Sequence, residues 1–399
     1  MKALLGQTKN LLQRNLPLHN LNRDLKILFV SNIVASFGDG LTIYLLPLFI
    51  RNLNATPEDV GFLFSVLTLA SATTIIPGGL LADRYDRKKI MILGWAVWIP
   101  VPLLFAFAAE WTQLPPAMFL YGILLSGPAS SIYIVERAQE ERITSTFTIL
   151  VSAWGIGYTF APTVAGYLTE AVGMQPVFLL TTLLYFITLV LLTRISSQHP
   201  PEGRLSSPTT QEPSYASTSR LRRILLLTAL LASAMFVLSL IFPLVPQFLS
   251  DVQGYDVAQI GILGSFTYLG GAILSPLVGR IGDKYGKTTS ISAAMVLVGL
   301  ALWMFTSVSN FLVLIAASFL RGASFPMWSF IGAIIGSIAP PMTRGRWISL
   351  VQTATQVVGI MAPYVGGILY STSPRTPFLI AIAASLILSL LALTKPFRK

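Results

Sequence analysis

A chain of 399 residues that is 54% hydrophobic and only 11% charged lacks the roughly 25% of charged residues typical of soluble domains, so a bilayer rather than one globular core must take up its apolar segments. It holds no cysteine and two histidines, His19 and His199, both in polar stretches, which excludes disulfides and thiolate metal sites and leaves no histidine centre to expect. A net charge of +11 calls either for an acidic partner or for a topological role of the basic residues.

Residues 1–26, MKALLGQTKNLLQRNLPLHNLNRDLK, interleave leucines with basic and amide residues and contain no uninterrupted apolar stretch of signal-peptide length. They are expected to stay in the cytoplasm, as a mobile tail or as a basic amphipathic segment on the membrane surface. Apolar runs able to cross about 30 Å of hydrocarbon follow at 27–50, 58–82, 90–109, 115–136, 143–169 and 174–195. Six more lie at 222–249, 257–279, 288–308, 311–337, 347–371 and 374–394. Backbone in hydrocarbon must satisfy its own hydrogen bonds, so each run is expected to be a helix. Between the sixth and seventh runs, SSQHPPEGRLSSPTTQEPSYASTSRLRR is rich in Ser, Pro and Thr without helical periodicity. A flexible linker at 196–221 therefore separates a bundle at 27–195 from a bundle at 222–394, with a short tail at 395–399.

With the N-terminus inside, the inner connections hold every lysine and arginine except Arg51 and Arg375 in outer loops and Arg321 within a span. That asymmetry is the positive-inside pattern. The basic charge is thus topology, and no nucleic-acid partner is implied.

The halves repeat. GGLLADRYDRKKI at 78–90 aligns with VGRIGDKYGKTTS at 278–290, which sets Gly79 over Gly279, Asp83 over Asp283, Arg84 over Lys284 and Arg87 over Lys287. Gly61 likewise matches Gly261, and Phe119, Leu120 and Gly122 match Phe319, Leu320 and Gly322. Pro162 with Gly166 returns as Pro363 with Gly366 and Gly367, small residues suited to close helix approach at an interface between halves. Two antiparallel helices joined by so short a loop need a residue tolerant of positive φ near the tip, which Gly286 supplies in the second copy and Asp86 is expected to supply in the first.

The first copy resembles the signature of the major facilitator superfamily, Gly-x-Leu-Ala-Asp-Arg-x-Gly-Arg-Lys, through Gly79, Leu81, Ala82, Asp83, Arg84, Arg87 and Lys88. Gly279, Asp283, Lys284, Gly286 and Lys287 form the weaker echo that such proteins often carry. The resemblance covers the whole chain. It implies an all-α integral membrane protein of twelve transmembrane helices in two six-helix bundles, with both termini cytoplasmic, a multi-pass protein of the plasma membrane. It also implies that the charged loops latch the halves in one conformation and that helices one, four, seven and ten line a central cavity.

Ionisable groups at mid-membrane cost roughly 2.5–3.5 kcal/mol each to insert, so they point to function. Asp39, in SFGDGLTIY, and Arg321, in SFLRGASFP, lie deep in the first and tenth spans. Asp39 is the proton-coupling candidate, with a fixed Asp39–Arg321 ion pair as the competing reading. The arginine that drug antiporters of the resembling family often carry in the fourth helix is Tyr121 here, and its second-half equivalent is Arg321. Further cavity candidates are Tyr44, Ser126, Tyr133, Met235, Ser239, Phe325 and Trp328, a largely aromatic and weakly polar set that suits a lipophilic or amphipathic compound. No Walker loop, nucleophile elbow or carboxylate pair points to an enzyme. The expectation is proton-coupled export of small lipophilic or amphipathic molecules. The other readings are an organic-anion carrier with Arg321 holding the anion, a lipid or lysolipid flippase, and a membrane sensor that no longer transports. The expected partners are a small-molecule substrate, protons and the lipid bilayer, with no cofactor and no metal, and the chain is expected to act as a monomer.

Overall fold

The computed structural model describes residues 21–139, 143–199, 218–339 and 344–394. Most of the segment at 1–26, most of the linker expected at 196–221 and the tail at 395–399 lie outside the described residues. Among these residues there is no strand. Six apolar helical segments run through the first half: α1 (Arg23–Asn52), α2 (Pro57–Arg84), α3 (Arg87–Ala106), α4 (Pro115–Arg137), α5 (Ser145–Val172) and α6 (Met174–Thr193). Six follow in the second: α7 (Leu221–Asp251), α8 (Val257–Tyr285), α9 (Lys287–Ser307), α10 (Phe311–Ile338), α11 (Trp347–Thr372) and α12 (Thr376–Ala392). They fall within a few residues of the expected spans. The largest difference at one end is α8, which continues six residues past its expected end at 279 to Tyr285, while α12 has 17 residues that rise only about 26 Å, with Arg375 ahead of its first turn and Pro377 within it.

The two halves begin their second helices alike. Thr56 caps α2 in a reciprocal pair of hydrogen bonds with Asp59, and Asp256 caps α8 in the same way with Gln259, so each helix starts with two backbone N–H groups satisfied. Breaks recur at related places. α1 is interrupted at Tyr44–Leu45 ahead of Pro47, and α7 at Phe242–Pro243. α4 opens at Ile123–Leu125, where α10 makes a tight turn at Gly322–Ser324.

α1 is the most buried of the twelve and packs along both α5 and α6. Large apolar side chains turn outward on α3, α6, α9 and α12, including Leu93, Leu183, Trp303 and Ile387, the surface that hydrocarbon covers.

Contacts between the halves run along two helix pairs, α5 with α8 and α2 with α11. Small residues set their distance. A Cβ on Gly166 would stand 2.8 Å from the Ala258 Cα, and one on Gly61 would stand 2.9 Å from the Tyr364 Cα. Reciprocally, Gly261 abuts the Pro162 carbonyl and Gly367 the backbone of Pro57 and Glu58, while Gly366 packs on Leu240 of α7. At the same end of the molecule Arg51 of α1 reaches Asp251 of α7 at 3.8 Å, and the Tyr370 hydroxyl donates to that carboxylate at 3.1 Å. At the opposite end, Gly79 and Gly279 have no heavy atom within 4 Å of a would-be Cβ, and Asp83, Arg84, Asp283 and Lys284 are exposed. The molecule is closed at the end of the 53–56 and 252–256 connections and open at the end of the 85–86 and 286 turns.

A chain without cysteine makes the closed end easy to probe. Arg51→Cys with Asp251→Cys is expected to crosslink efficiently through a bifunctional methanethiosulfonate whose spacer replaces the lost arginine reach, and adding Gly61→Val is expected to lower the yield by roughly fivefold, the ratio that about 1 kcal/mol of strain produces. An unchanged yield would mean that the α2–α11 approach does not hold this end shut.

Candidate functional site

Asp39 lies on α1 and is 5% exposed. The glycines on either side let two other helices come close: a Cβ on Gly38 would stand 3.1 Å from Leu184 Cβ and 3.3 Å from the Tyr185 ring, and one on Gly40 would stand 2.7 Å from Ala161 Cβ and 3.1 Å from the Tyr158 ring. The result is a carboxylate held by three phenols from three helices. Tyr121 of α4 donates to Oδ1, Tyr158 of α5 donates to Oδ2, and Tyr185 of α6 donates to Oδ1 at 3.0 Å. A carboxylate accepts through both oxygens, and bonds to a charged acceptor are worth about 1.5–3 kcal/mol each. Behind the phenols stands Trp98 of α3, its ring 5.5 Å from that of Tyr121 and 6.0 Å from that of Tyr185. Its indole N–H donates to the Ile123 carbonyl at 2.8 Å, an oxygen released by the break in α4.

An aromatic chain leads from this cluster into the second half. Tyr158 stacks on Tyr268 of α8, with centroids 4.8 Å apart and planes 16° apart. Tyr268 meets Tyr44 edge-on at 6.2 Å and Phe325 at 5.1 Å. Arg321 closes the chain, its guanidinium 6.0 Å from the Tyr44 ring centroid, a cation–π distance. Arg321 is 8% exposed, and its buried Nη1 has no hydrogen-bond partner. Among the described residues Arg321 makes no ion pair. The fixed Asp39–Arg321 pair is therefore absent, because the tyrosines occupy the carboxylate and an aromatic layer separates the two charges.

Five of the sequence-derived candidates share one cavity of about 220 Å³: Met235 and Ser239 from α7, with Arg321, Phe325 and Trp328 from α10. Tyr44 borders Arg321 from the first half. The others go elsewhere. Tyr121 binds Asp39. Ser126 lines a second cavity, of about 250 Å³, with Ser31, Asn32, Trp95 and Trp154 inside the first half. Tyr133 is fully buried near the open end, where its hydroxyl lies 2.9 Å from Asp24 Oδ2 and 3.0 Å from the Ser196 carbonyl; it braces α4 rather than lining a cavity. Tyr158, Tyr185, Tyr268 and Trp98 escape the sequence reading because the resemblance directed attention to helices one, four, seven and ten. The available signal was a polar-tipped aromatic at mid-span, which needs a partner when buried.

The charged loops also differ from expectation. Asp86 does not take a positive φ; it has φ −55° and caps α3 by accepting from the Lys88 amide at 2.9 Å. Gly286 does turn through φ +108°. In the first copy, Asp86 and Arg87 are buried, and both grip the segment that leaves α6. The Gln198 amide donates to Asp86 Oδ1 at 3.2 Å, the Arg87 amide donates to the Gln198 carbonyl at 3.0 Å, and Arg87 Nη2 pairs with Glu136 at 3.4 Å. His199 Nε2 lies 3.7 Å from the same aspartate. In the second copy Lys287 donates to the Ala333 carbonyl of α10 at 3.0 Å. In this conformation these residues bind their own half, and the expected latch across the halves is not engaged. Burial pushes the Asp86 carboxyl up, but the hydrogen bonds from Gln198, Ser197 and Lys88 and the nearby His199 outweigh it and leave the group below its ordinary 3.8.

Comparison with known proteins places these features. The family model described as Major Facilitator Superfamily matches residues 28–257 and again 227–399. The chain is similar to the Multidrug resistance protein MdtG of Proteus mirabilis, 25% identical over 374 residues that cover 90% of each chain. It is also similar to the Multi-drug resistance efflux pump PmrA of Streptococcus pneumoniae, 23% identical over 365 residues covering 87% of this chain and 89% of that protein. Among solved structures, the nucleoside transporter NupG superposes with a TM-score of 0.76 at 13% identity, over 93% of this chain and 98% of that one, a likeness of fold alone.

Because Asp86 has a lowered pKa, its hold on the 196–199 segment is fully present above the unfolded carboxyl value and is lost only as pH falls below about 3.8. A nitroxide on Ser196→Cys is expected to stay immobilised at pH 7 and pH 5. Asp86→Asn should mobilise it at both, through the loss of about 2 kcal/mol of charged hydrogen bonding. A spectrum unchanged by Asp86→Asn would show that Arg87 alone secures the segment.

Proposed function

The chain belongs to the Major Facilitator Superfamily and is a multi-pass transporter of the cell membrane, and on that premise we propose that it exports small lipophilic or amphipathic compounds in exchange for protons. It acts as a monomer without cofactor or catalytic residue, rocking a bundle at 27–195 against one at 222–394. Both termini face the cytoplasm, as the basic residues require, so the open end of the structure is the cytoplasmic one and the Arg51–Asp251 end is the outer one. The names of the relatives MdtG and PmrA, which speak of multidrug resistance and efflux, support export.

The observation that carries the proton-coupled reading is Asp39 with its three phenols. An ionised carboxylate only accepts, and can hold all three donors; a protonated one carries a hydroxyl of its own and has less room to accept. Taking up a proton therefore weakens the grip on at least one tyrosine. Tyr158 is the one whose ring also stacks on the second half, at Tyr268. Proton binding at Asp39 is thereby tied to the contact between the bundles, which is the link an exchanger needs between its ion and its alternation. The charged-loop residues Gly79, Asp83, Arg84, Lys88, Gly279, Asp283 and Lys284 then meet the opposite half when the cytoplasmic end closes.

Proteoliposomes loaded with a pH-sensitive dye and offered a panel of cationic, neutral and anionic amphipaths test this. At least one compound is expected to drive proton movement, and Asp39→Asn is expected to reduce it to the protein-free background while binding, read from tryptophan fluorescence, persists. Proton movement undiminished in Asp39→Asn would remove Asp39 from the mechanism.

A further inference from the structure

The two halves repeat at a spacing of two hundred, and the site breaks that repeat. Asp39 corresponds to Ser239, Tyr121 to Arg321 and Trp98 to Val298. In the first half these positions close on one another: the carboxylate takes the phenol, and the indole fills the space behind it. In the second half the acid has become a serine, the phenol a guanidinium and the indole a small aliphatic side chain. Ser239, Arg321 and Val298 all line the cavity of about 220 Å³ that results.

Among the described residues the guanidinium there has no counter-ion. After Asp283 the sequence contains neither aspartate nor glutamate, and the three acids of the described second half are placed at helix ends. Asp251 engages Arg51 and Tyr370, Asp256 caps α8 and Asp283 is exposed at the open end. Asp39 is taken up by its tyrosines. A buried charge without a counter-ion is costly, and the Tyr44 ring face compensates it only in part, yet Arg321 is 8% exposed with Nη1 unsatisfied. What the fold withholds, a ligand can provide. Resting on the reading of this cavity as the substrate site, we infer that it takes the anionic head of an amphipathic compound, a carboxylate or sulfonate held by the Arg321 fork. Ser239 and Ser324 offer hydroxyls beside it, and Phe325, Trp328 and Met235 receive the apolar body. The volume of about 220 Å³ lies below the roughly 300 Å³ at which drug-sized ligand sites begin, which restricts the body to one or two rings.

Three probes with one body separate charge from shape: naphthalene-1-sulfonate, 1-naphthylmethylammonium and 1-naphthalenemethanol, titrated calorimetrically against the full chain in phosphatidylcholine nanodiscs. The sulfonate is expected to bind at least about tenfold more tightly than the ammonium. Arg321→Gln should abolish that preference and leave the affinity for the neutral alcohol unchanged, which also shows that the cavity remains folded, whereas Arg321→Lys should retain the preference in part. Sulfonate binding that is lost on exchanging the lipid for phosphatidylglycerol upholds an anion site and assigns it to a lipid headgroup. Equal affinities for the three probes, or a sulfonate preference that survives Arg321→Gln, overturns the inference. Binding is read without a gradient, so a failure of proton coupling leaves this outcome standing, and a failure here leaves the role of Asp39 standing.

Discussion

A carboxylate in the middle of a membrane helix must find donors, because hydrocarbon provides none and an unsatisfied charge there would outweigh much of what holds the helices together. Asp39 finds them on α4, α5 and α6 at once. That requirement explains why α1 is the most buried helix, why glycines stand on both sides of the acid, and why Trp98 is pinned behind the phenols by the carbonyl that the broken α4 releases. Without the carboxylate, three buried hydroxyls would need other acceptors in a region that has few. The interaction also reaches beyond its own half, since one of its donors is the ring on which Tyr268 stacks.

Duplication supplies the frame on which this chemistry is mounted. Because both halves carry the same small residues at the same places, the α5–α8 and α2–α11 contacts are one interface built twice: Gly261 against Pro162 on one side and Gly61 against Pro363 on the other. Such contacts are made of backbone and small side chains, can close tightly, and depend little on charge. The site, by contrast, is not duplicated. An acid with phenols occupies one half and a lone cation with an open cavity the other, and the aromatic layer of Tyr44, Tyr158 and Tyr268 lies between them. A common scaffold thus carries two unlike centres, joined through the same aromatic contact between the halves.

Much of the scaffold is legible in the residues. Apolar runs of the right length become helices, the matching of Gly61 with Gly261 and of Pro162 with Pro363 foreshadows the two close approaches, and the isolation of Asp39 and Arg321 marks both centres. Five cavity residues, Met235, Ser239, Arg321, Phe325 and Trp328, do come together. Other assignments needed coordinates. Asp86 reads as a strained turn residue but is a helix cap that also holds the Gln198 backbone, and nothing local in the sequence announces a partner more than a hundred positions away. Tyr133 shares the composition of a cavity wall, yet its place on α4 turns it toward Asp24 and Ser196. Tyr158 and Tyr185 look like any aromatic in an apolar span until the glycines of α1 bring them against the acid.

What the sequence by itself determined is the membrane architecture: the helices, their repetition, and the two positions where charge enters the apolar spans. These are local matters, settled by the length of an apolar run and by the need of each backbone segment in hydrocarbon to satisfy its own hydrogen bonds. What only the tertiary structure decided is the pairing. Asp39 could have met Arg321, and instead three tyrosines from separate helices surround it while the arginine is left facing a cavity. The closed and open ends were likewise undecided, since the same helices serve both. A side chain's partner is chosen among residues distant in the chain by how closely helices can approach, and that distance is a property of the packed molecule, set here by glycines whose effect appears only once the helices meet.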